Sequence, residues 1–230
     1  MITCVIPARM GSTRFPGKPL HKILGKELIL HVCKIASRCS NIDHVVVATE
    51  DQEIYDVVKS DGYDCKITEP CSTCTHRVSS LVNTLDYRPD YIVNLQGDEP
   101  CMSPSDIDWM VDYTVQNKHK MTQAVYEVSE EDILDEDCVK AVVNNGHVIW
   151  LVRKPEMEAQ LLGIAGLYVY DYETIANFRS YDLKAVEACN SLDTIGFIGK
   201  VPVVPFKIPR RTQAVDRLSD VEEVTKFLSK

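Results

Sequence analysis

Arg9, Arg14 and Lys18 fall within ten residues of one another in the stretch ARMGSTRFPGKPL, residues 8–20. Gly11, Gly17, Pro16 and Pro19 are threaded between them. Glycine lets backbone N–H groups come close to a ligand, and three long cations can reach phosphate oxygens from several sides. A solvated basic turn is the usual fate of such a charge run, but a floppy surface loop has no need of prolines to set its shape. The composition points to polyphosphate binding. Neither common phosphate loop is present: the sequence has no G-x-x-x-x-G-K-[ST] and no G-x-G-x-x-G, which argues against a P-loop ATPase and a dinucleotide-binding Rossmann domain.

A second stretch, QGDEP at 96–100, places Asp98 and Glu99 directly after the apolar run DYIVNL. Alone it reads as a polar turn. Beside a phosphate loop, a carboxylate at a strand's end is the usual way to hold Mg²⁺, with phosphate oxygens and water completing the shell. QGDEP is not the D-x-D of a nucleotide-sugar-dependent glycosyltransferase. Cys71, Cys74 and His76 in CSTCTHR offer three zinc or redox candidates, but no second cysteine pair lies near them, and loop packing is the favoured reading.

The 230 residues carry a net charge of -9, which excludes the broad basic surface of general nucleic-acid binding and leaves a small polyanion met by local cations. The N-terminus shows no signal-peptide pattern, and no apolar run approaches a membrane span. With nine scattered cysteines, these features favour a reducing cytoplasm and free thiols packed as small hydrophobes.

Positioning these residues requires strands that end together. ITCVIPA (2–8), DHVVVATED (43–51), YDCKI (63–67) and DYIVNLQGDEP (90–100) read as strands, alternating with helices near 28–39, 52–62, 75–85 and 103–117. Near-continuous apolar strands alternating with helices predict an α/β fold with a mixed, mostly parallel central sheet covered on both faces. The second half predicts strands near 121–128, 139–144, 147–152, 164–170 and 200–206, with helices near 171–178, 182–192 and 217–229. One domain over 1–230 is the economical organisation, with Trp109 and Trp150 expected in the core. Ligands of open α/β sheets bind beyond the carboxyl ends of the strands, where the basic loop, TED (49–51) and QGDEP all fall.

VIPARMGSTRFPGKPL, VVVATEDQEI, YIVNLQGDEP and AVDRLSDVEEV occur in the order of the motifs of the cytidylyltransferases that activate 3-deoxy-manno-octulosonate (Kdo). The chain resembles that family at its start, middle and end. The resemblance implies a GT-A-like nucleotidyltransferase fold, a homodimer, and Mg²⁺-dependent transfer of CMP from CTP to a small anionic acceptor with release of pyrophosphate. It further implies that Arg9, Arg14 and Lys18 hold the CTP phosphates and that Ala8, Gly11, Ser12, Gln96 and Arg77 belong to the nucleotide site. Asp98 and Asp216 would be the metal carboxylates, and Lys18, Arg9 and Asp98 the catalytic set. Arg153, Glu187 and Asn190 fall on the acceptor side.

The chain departs from the family pattern where the acceptor is read. CSTCTHR replaces H-x-S-G-T-D-R, and EACNSLD (187–193) replaces E-x-L-E-Q-L-R, so Asn190, Ser191 and Asp193 replace polar residues that shape the acceptor pocket in that pattern. KIPRRTQAVD (207–216) adds Lys207, Arg210 and Arg211, which are expected to help bind an anionic acceptor or pyrophosphate. The acceptor stays open among Kdo, a related 2-keto sugar acid and a phosphonate, and CTP stays undistinguished from UTP. A nucleotide-binding regulator without catalysis is the alternative of another class.

Overall fold

A computed structural model describes residues 1–12, 14–155, 160–181, 184, 186 and 192–229. Its strands in chain order are β1 (Ile2–Ala8), β2 (Lys22–Ile23), β3 (Lys26–Glu27), β4 (His44–Thr49), β5 (Asp64–Ile67), β6 (Tyr91–Leu95), β7 (Met121–Glu127), β8 (Lys140–Asn144), β9 (His147–Val152), β10 (Leu161–Asp171) and β11 (Val203–Lys207). The helices are α1 (Leu28–Ala36), α2 (Gln52–Ser60), α3 (Cys74–Val82), α4 (Pro104–Gln116), α5 (Glu130–Leu134), α6 (Tyr172–Ala176) and α7 (Asp220–Leu228). The helix expected near 182–192 lies largely outside the described residues.

The main sheet runs β5-β4-β1-β6-β10-β7-β11, with β8 and β9 added beside β10. β5, β4, β1 and β6 are mutually parallel, as are β7 and β11, while β10 runs antiparallel to β6, β7 and β8. Strands buried on both faces need apolar residues at every position, and β1 shows why. Cys4, Ile6 and Ala8 pack into one core layer with Ile29 and Val32 of α1 and Ile107 of α4. Val5 packs into the other, with Val78 and Leu81 of α3 and Ile175 of α6.

Eight cysteines are described, all as free thiols, and all but Cys74 are buried. Trp109 and Trp150 correct their expected burial: they are 56% and 47% exposed. Trp109 lies on the outer face of α4, and Trp150 on the β8–β9 hairpin, where only one side of the strand meets the core. No helix among the described residues is long and apolar enough to cross a membrane.

Candidate active site

β1 and β6 are parallel neighbours, so Ala8 and Leu95 finish at the same edge and deliver the basic loop and QGDEP side by side. Gly97 is required by that approach: a Cβ there would meet the Pro7 carbonyl oxygen at 2.9 Å. The loop is tied down from the third strand of the group, because Asp51, just past β4, accepts the Met10 N–H at 2.8 Å. Within the loop, Ser12 and Gly17 donate backbone N–H groups to the Met10 carbonyl, at 2.8 and 3.1 Å. Gly17, at φ +72°, turns the chain into the short helix 18–20 that carries Lys18.

The cleft that results has two adjoining lobes, of about 240 and about 420 Å³. The smaller is lined by Ala8, Arg9, Ser12, Arg14, Lys18, Gln96, Gly97, Asp98 and Asp216. The larger shares Arg9, Arg14, Cys74, Gln96, Asp98 and Asp216 and extends past Glu99, Tyr168 and Asp193 to Arg153 and Arg211. Residues expected on the nucleotide side and on the acceptor side thus meet along the Asp98–Asp216 line.

Lys18, Arg14 and Arg217 already have carboxylate partners at the cleft. Lys18 Nζ donates to Asp98 Oδ2 at 2.6 Å and to the Val215 carbonyl at 2.7 Å. Arg14 bridges Asp216 at 2.7 Å and Asp137 at 3.1 Å, and Arg217 pairs with Asp137 at 2.7 Å. Val215 also donates its N–H to the Asp98 carbonyl at 2.9 Å, which laces the C-terminal segment onto the QGDEP turn. Burial would lower the Lys18 pKa, but Asp98 and then Asp216 overcome it and raise it. Burial first, and the charge of Asp98 second, raise the Asp216 pKa. Two partly buried carboxylates facing one another are hard oxygen donors of the kind Mg²⁺ takes. No group of three or more His, Cys, Asp or Glu able to hold a metal occurs among the described residues, so the rest of the shell would come from phosphate and water. Asp98 and Asp216 therefore fit a magnesium ion that arrives with a triphosphate, and Cys71, Cys74 and His76 do not form a metal cluster.

Several expected site residues lie elsewhere. Arg77 is 2% exposed and lines neither lobe: it bonds the Thr68 hydroxyl at 2.7 Å and pairs with Glu50 at 3.1 Å. It ties α3 to the end of β4 and is not placed to touch a nucleotide. Arg210 also lines neither lobe; its guanidinium lies 5.8 Å from the Phe227 ring on α7. Lys207 pairs with Glu127 outside the cleft. Gly11 is exposed and off both walls. Arg211 does line the larger lobe, paired with Asp132 and, at 3.6 Å, Asp135. Arg153 lines it too, its Nη1 donating to the Glu136 and Asp137 carbonyls at 3.0 and 3.4 Å. Glu187 and Asn190 lie outside the described residues.

The sequence does not single out Tyr168, Asp137 or Arg217, and it marks Glu99 only alongside Asp98, as a carboxylate of the QGDEP strand end. Glu99 is 4% exposed, and its Oε1 accepts the Gly166 N–H at 2.8 Å. Burial, helped by the charge of Asp98, pushes its pKa up to about 7. A signal for it was present, since Gly166 stands opposite: a Cβ there would meet Glu99 Cγ at 2.8 Å.

The family model described as cytidylyltransferase matches residues 3–188. A 3-deoxy-manno-octulosonate cytidylyltransferase of Anaeromyxobacter dehalogenans is 32% identical over 202 residues, covering 84% of this chain and 83% of that protein. One from Nitratidesulfovibrio vulgaris is 32% identical over 244 aligned positions, 98% of this chain and 96% of the relative. The chain belongs to the Kdo cytidylyltransferase family. A solved structure of CMP:2-keto-3-deoxy-manno-octonic acid synthetase complexed with CTP superposes with a TM-score of 0.90 at 26% identity, covering 99% of this chain and 98% of that one. Family membership makes the chain a CTP-dependent nucleotidyltransferase, and the cleft is where the loop, QGDEP and AVD motifs converge.

Proposed function

We propose that this protein transfers CMP from CTP to Kdo, or to a closely related 2-keto sugar acid, and releases pyrophosphate. The observation that carries the reading is the smaller lobe, where Arg9, Arg14, Lys18, Asp98 and Asp216 share one wall. An acceptor hydroxyl oxygen attacks the α-phosphorus while the bond to the pyrophosphate oxygen breaks, and no covalent enzyme intermediate is needed. Arg14 and Lys18 exchange their carboxylate partners for phosphate oxygens and so meet the charge that develops on the leaving pyrophosphate. Arg153 offers the acceptor's carboxylate a cation across the larger lobe, which orients the hydroxyl toward the nucleotide. Asp98 and Asp216 would hold Mg²⁺, which supplies charge neutralisation on the triphosphate and acidifies the attacking hydroxyl.

The enzyme is further proposed to act in the cytoplasm as a homodimer; the family resemblance and the exposed Ile149 and Trp150 on β9 support the dimer. Mass spectrometry of a reaction of CTP, Kdo and Mg²⁺ tests the activity. The expected product is the CMP–Kdo adduct, absent when a chelator replaces the metal. CTP bound but never converted with any sugar acid would contradict it.

A further inference from the structure

Arg217 follows Asp216 in the chain, and its backbone is pinned at the cleft. Asp220, the first residue of α7, accepts the N–H groups of both Asp216 and Arg217 on Oδ2 at 2.7 Å. The Arg217 guanidinium reaches the segment between α5 and β8, 80 residues away in sequence, where Nε and Nη2 meet Asp137 Oδ2 at 3.0 and 2.7 Å. The other oxygen of that carboxylate, Oδ1, accepts from Arg14 Nη1 at 3.1 Å. One carboxylate thus gathers two guanidiniums, one from the opening loop and one from the segment before α7. Like charges repel, so the two arginines share a place only with an anion between them. The arginine fork that suits a carboxylate suits a phosphate group equally.

The neighbouring acids are engaged differently. Asp220 Oδ2 is taken by the two backbone N–H groups, and Asp135 by the Asp137 N–H at 2.9 Å and by Arg211 at 3.6 Å. Among the described residues, the Asp137 carboxylate accepts from the two guanidiniums alone. All three side chains line the larger lobe and stay open to water: Arg14, Asp137 and Arg217 have 42, 38 and 55% of their side chains exposed. Exposed ion pairs contribute little stability, so a ligand carrying several negative charges displaces this one readily. Arg14 lines the smaller lobe as well, with Arg9 and Lys18, and Arg217 therefore extends that group of cations.

We propose that Arg217 is a further phosphate-binding residue. With Arg14 it takes the terminal phosphates of the nucleotide and then the departing pyrophosphate, and Asp137 is an internal anion that competes with them for both arginines. The proposal rests on the cytidylyltransferase reading and adds to it a competitor built into the cleft.

Titration calorimetry in the presence of Mg²⁺ measures the binding of CTP, inorganic pyrophosphate and CMP to the wild type, Arg217→Met, Arg217→Lys and Asp137→Asn, with the Tm of each. Arg217→Met should weaken CTP and pyrophosphate about tenfold, the equivalent of about 1.4 kcal/mol. CMP, which has no terminal phosphates, should bind as before, and Arg217→Lys should recover part of the loss. Asp137→Asn should act in the opposite direction and tighten CTP and pyrophosphate about threefold. An ion pair that only holds the fold makes both substitutions act in the same direction. Weakened or unchanged binding in Asp137→Asn, unchanged pyrophosphate affinity in Arg217→Met, or a loss of CMP as large as that of CTP overturns the proposal and leaves the cytidylyltransferase reading standing. A wild type that binds neither CTP nor pyrophosphate contradicts that reading, and the proposal falls with it.

Discussion

In the proposed mechanism Lys18 and Asp98 are the pair on which the chemistry turns, because they pair with each other at 2.6 Å and would part for a nucleotide. Lys18→Met leaves Asp98 without its cation and the pyrophosphate without a donor. Removing one member of a partly buried, hydrogen-bonded pair is costly, and the expected loss is about 100-fold in kcat/KM for CTP. Steady-state kinetics at varied CTP check it; a change below threefold contradicts the role. Arg77 makes the opposite prediction. Its buried pair with Glu50 is structural, so Arg77→Met should lower stability by about 3–5 kcal/mol, read by urea unfolding, while the enzyme that remains folded keeps its CTP KM. The difference between these two residues marks the limit of motif reading. Arg9, Arg14 and Lys18 were legible because a loop rich in glycine and proline carried them. Arg77 matches an arginine of a segment that otherwise departs from the family pattern, and nothing in a linear pattern tells an arginine facing a cleft from one turned into the core.

At the scale of elements, two short segments hold the cleft in shape. The turn after β6 passes so close to β1 that Gly97→Ala must push the Pro7 carbonyl or Ile29 aside. Overpacking of this kind costs about 1–3 kcal/mol, and the displacement should raise the CTP KM. A crystal structure of the variant with an unmoved turn contradicts the account. α5 is built by a capping box in which Ser129 and Asp132 satisfy each other's backbone N–H groups, and Asp132 also pairs with Arg211 at the cleft. Burial pushes the Asp132 pKa up, but the Ser129 N–H and Arg211 outweigh it, and the net shift is downward. A carboxyl whose folded pKa is depressed contributes stability above its unfolded value of about 3.9, and loses it as pH falls through the folded value. Tm should therefore fall with acid in that window for the wild type, and fall less for Asp132→Asn; parallel profiles sink the assignment. The apolar runs announced β1, β4, β6 and the helices between them. The β2–β3 hairpin and α5 were missed because two-residue strands and a one-turn helix leave no period to detect.

Over the whole molecule, the fold's task is to bring distant segments to one edge of one sheet. Arg14 and Asp216 are 202 residues apart in sequence and 2.7 Å apart in space. β1, β4 and β6 of the parallel half were legible because they are largely apolar runs. The antiparallel β10, which carries Tyr168 and Gly166 to the larger lobe, was legible as a strand but not in its place between β6 and β7. Pairing partners are set by tertiary packing and not by the strand's own sequence. The two tryptophans expected in the core are exposed instead, and sedimentation at twice the chain mass is the expected outcome for the proposed dimer; a monomer at micromolar concentration contradicts it. The central claim is that the opening cations hold a triphosphate whose CMP passes to a sugar acid. The most direct measurement is the initial rate of pyrophosphate release from CTP and Mg²⁺ with Kdo, beside UTP and ATP controls. The account predicts turnover with CTP that depends on both Kdo and the metal. No release above the acceptor-free background would contradict it.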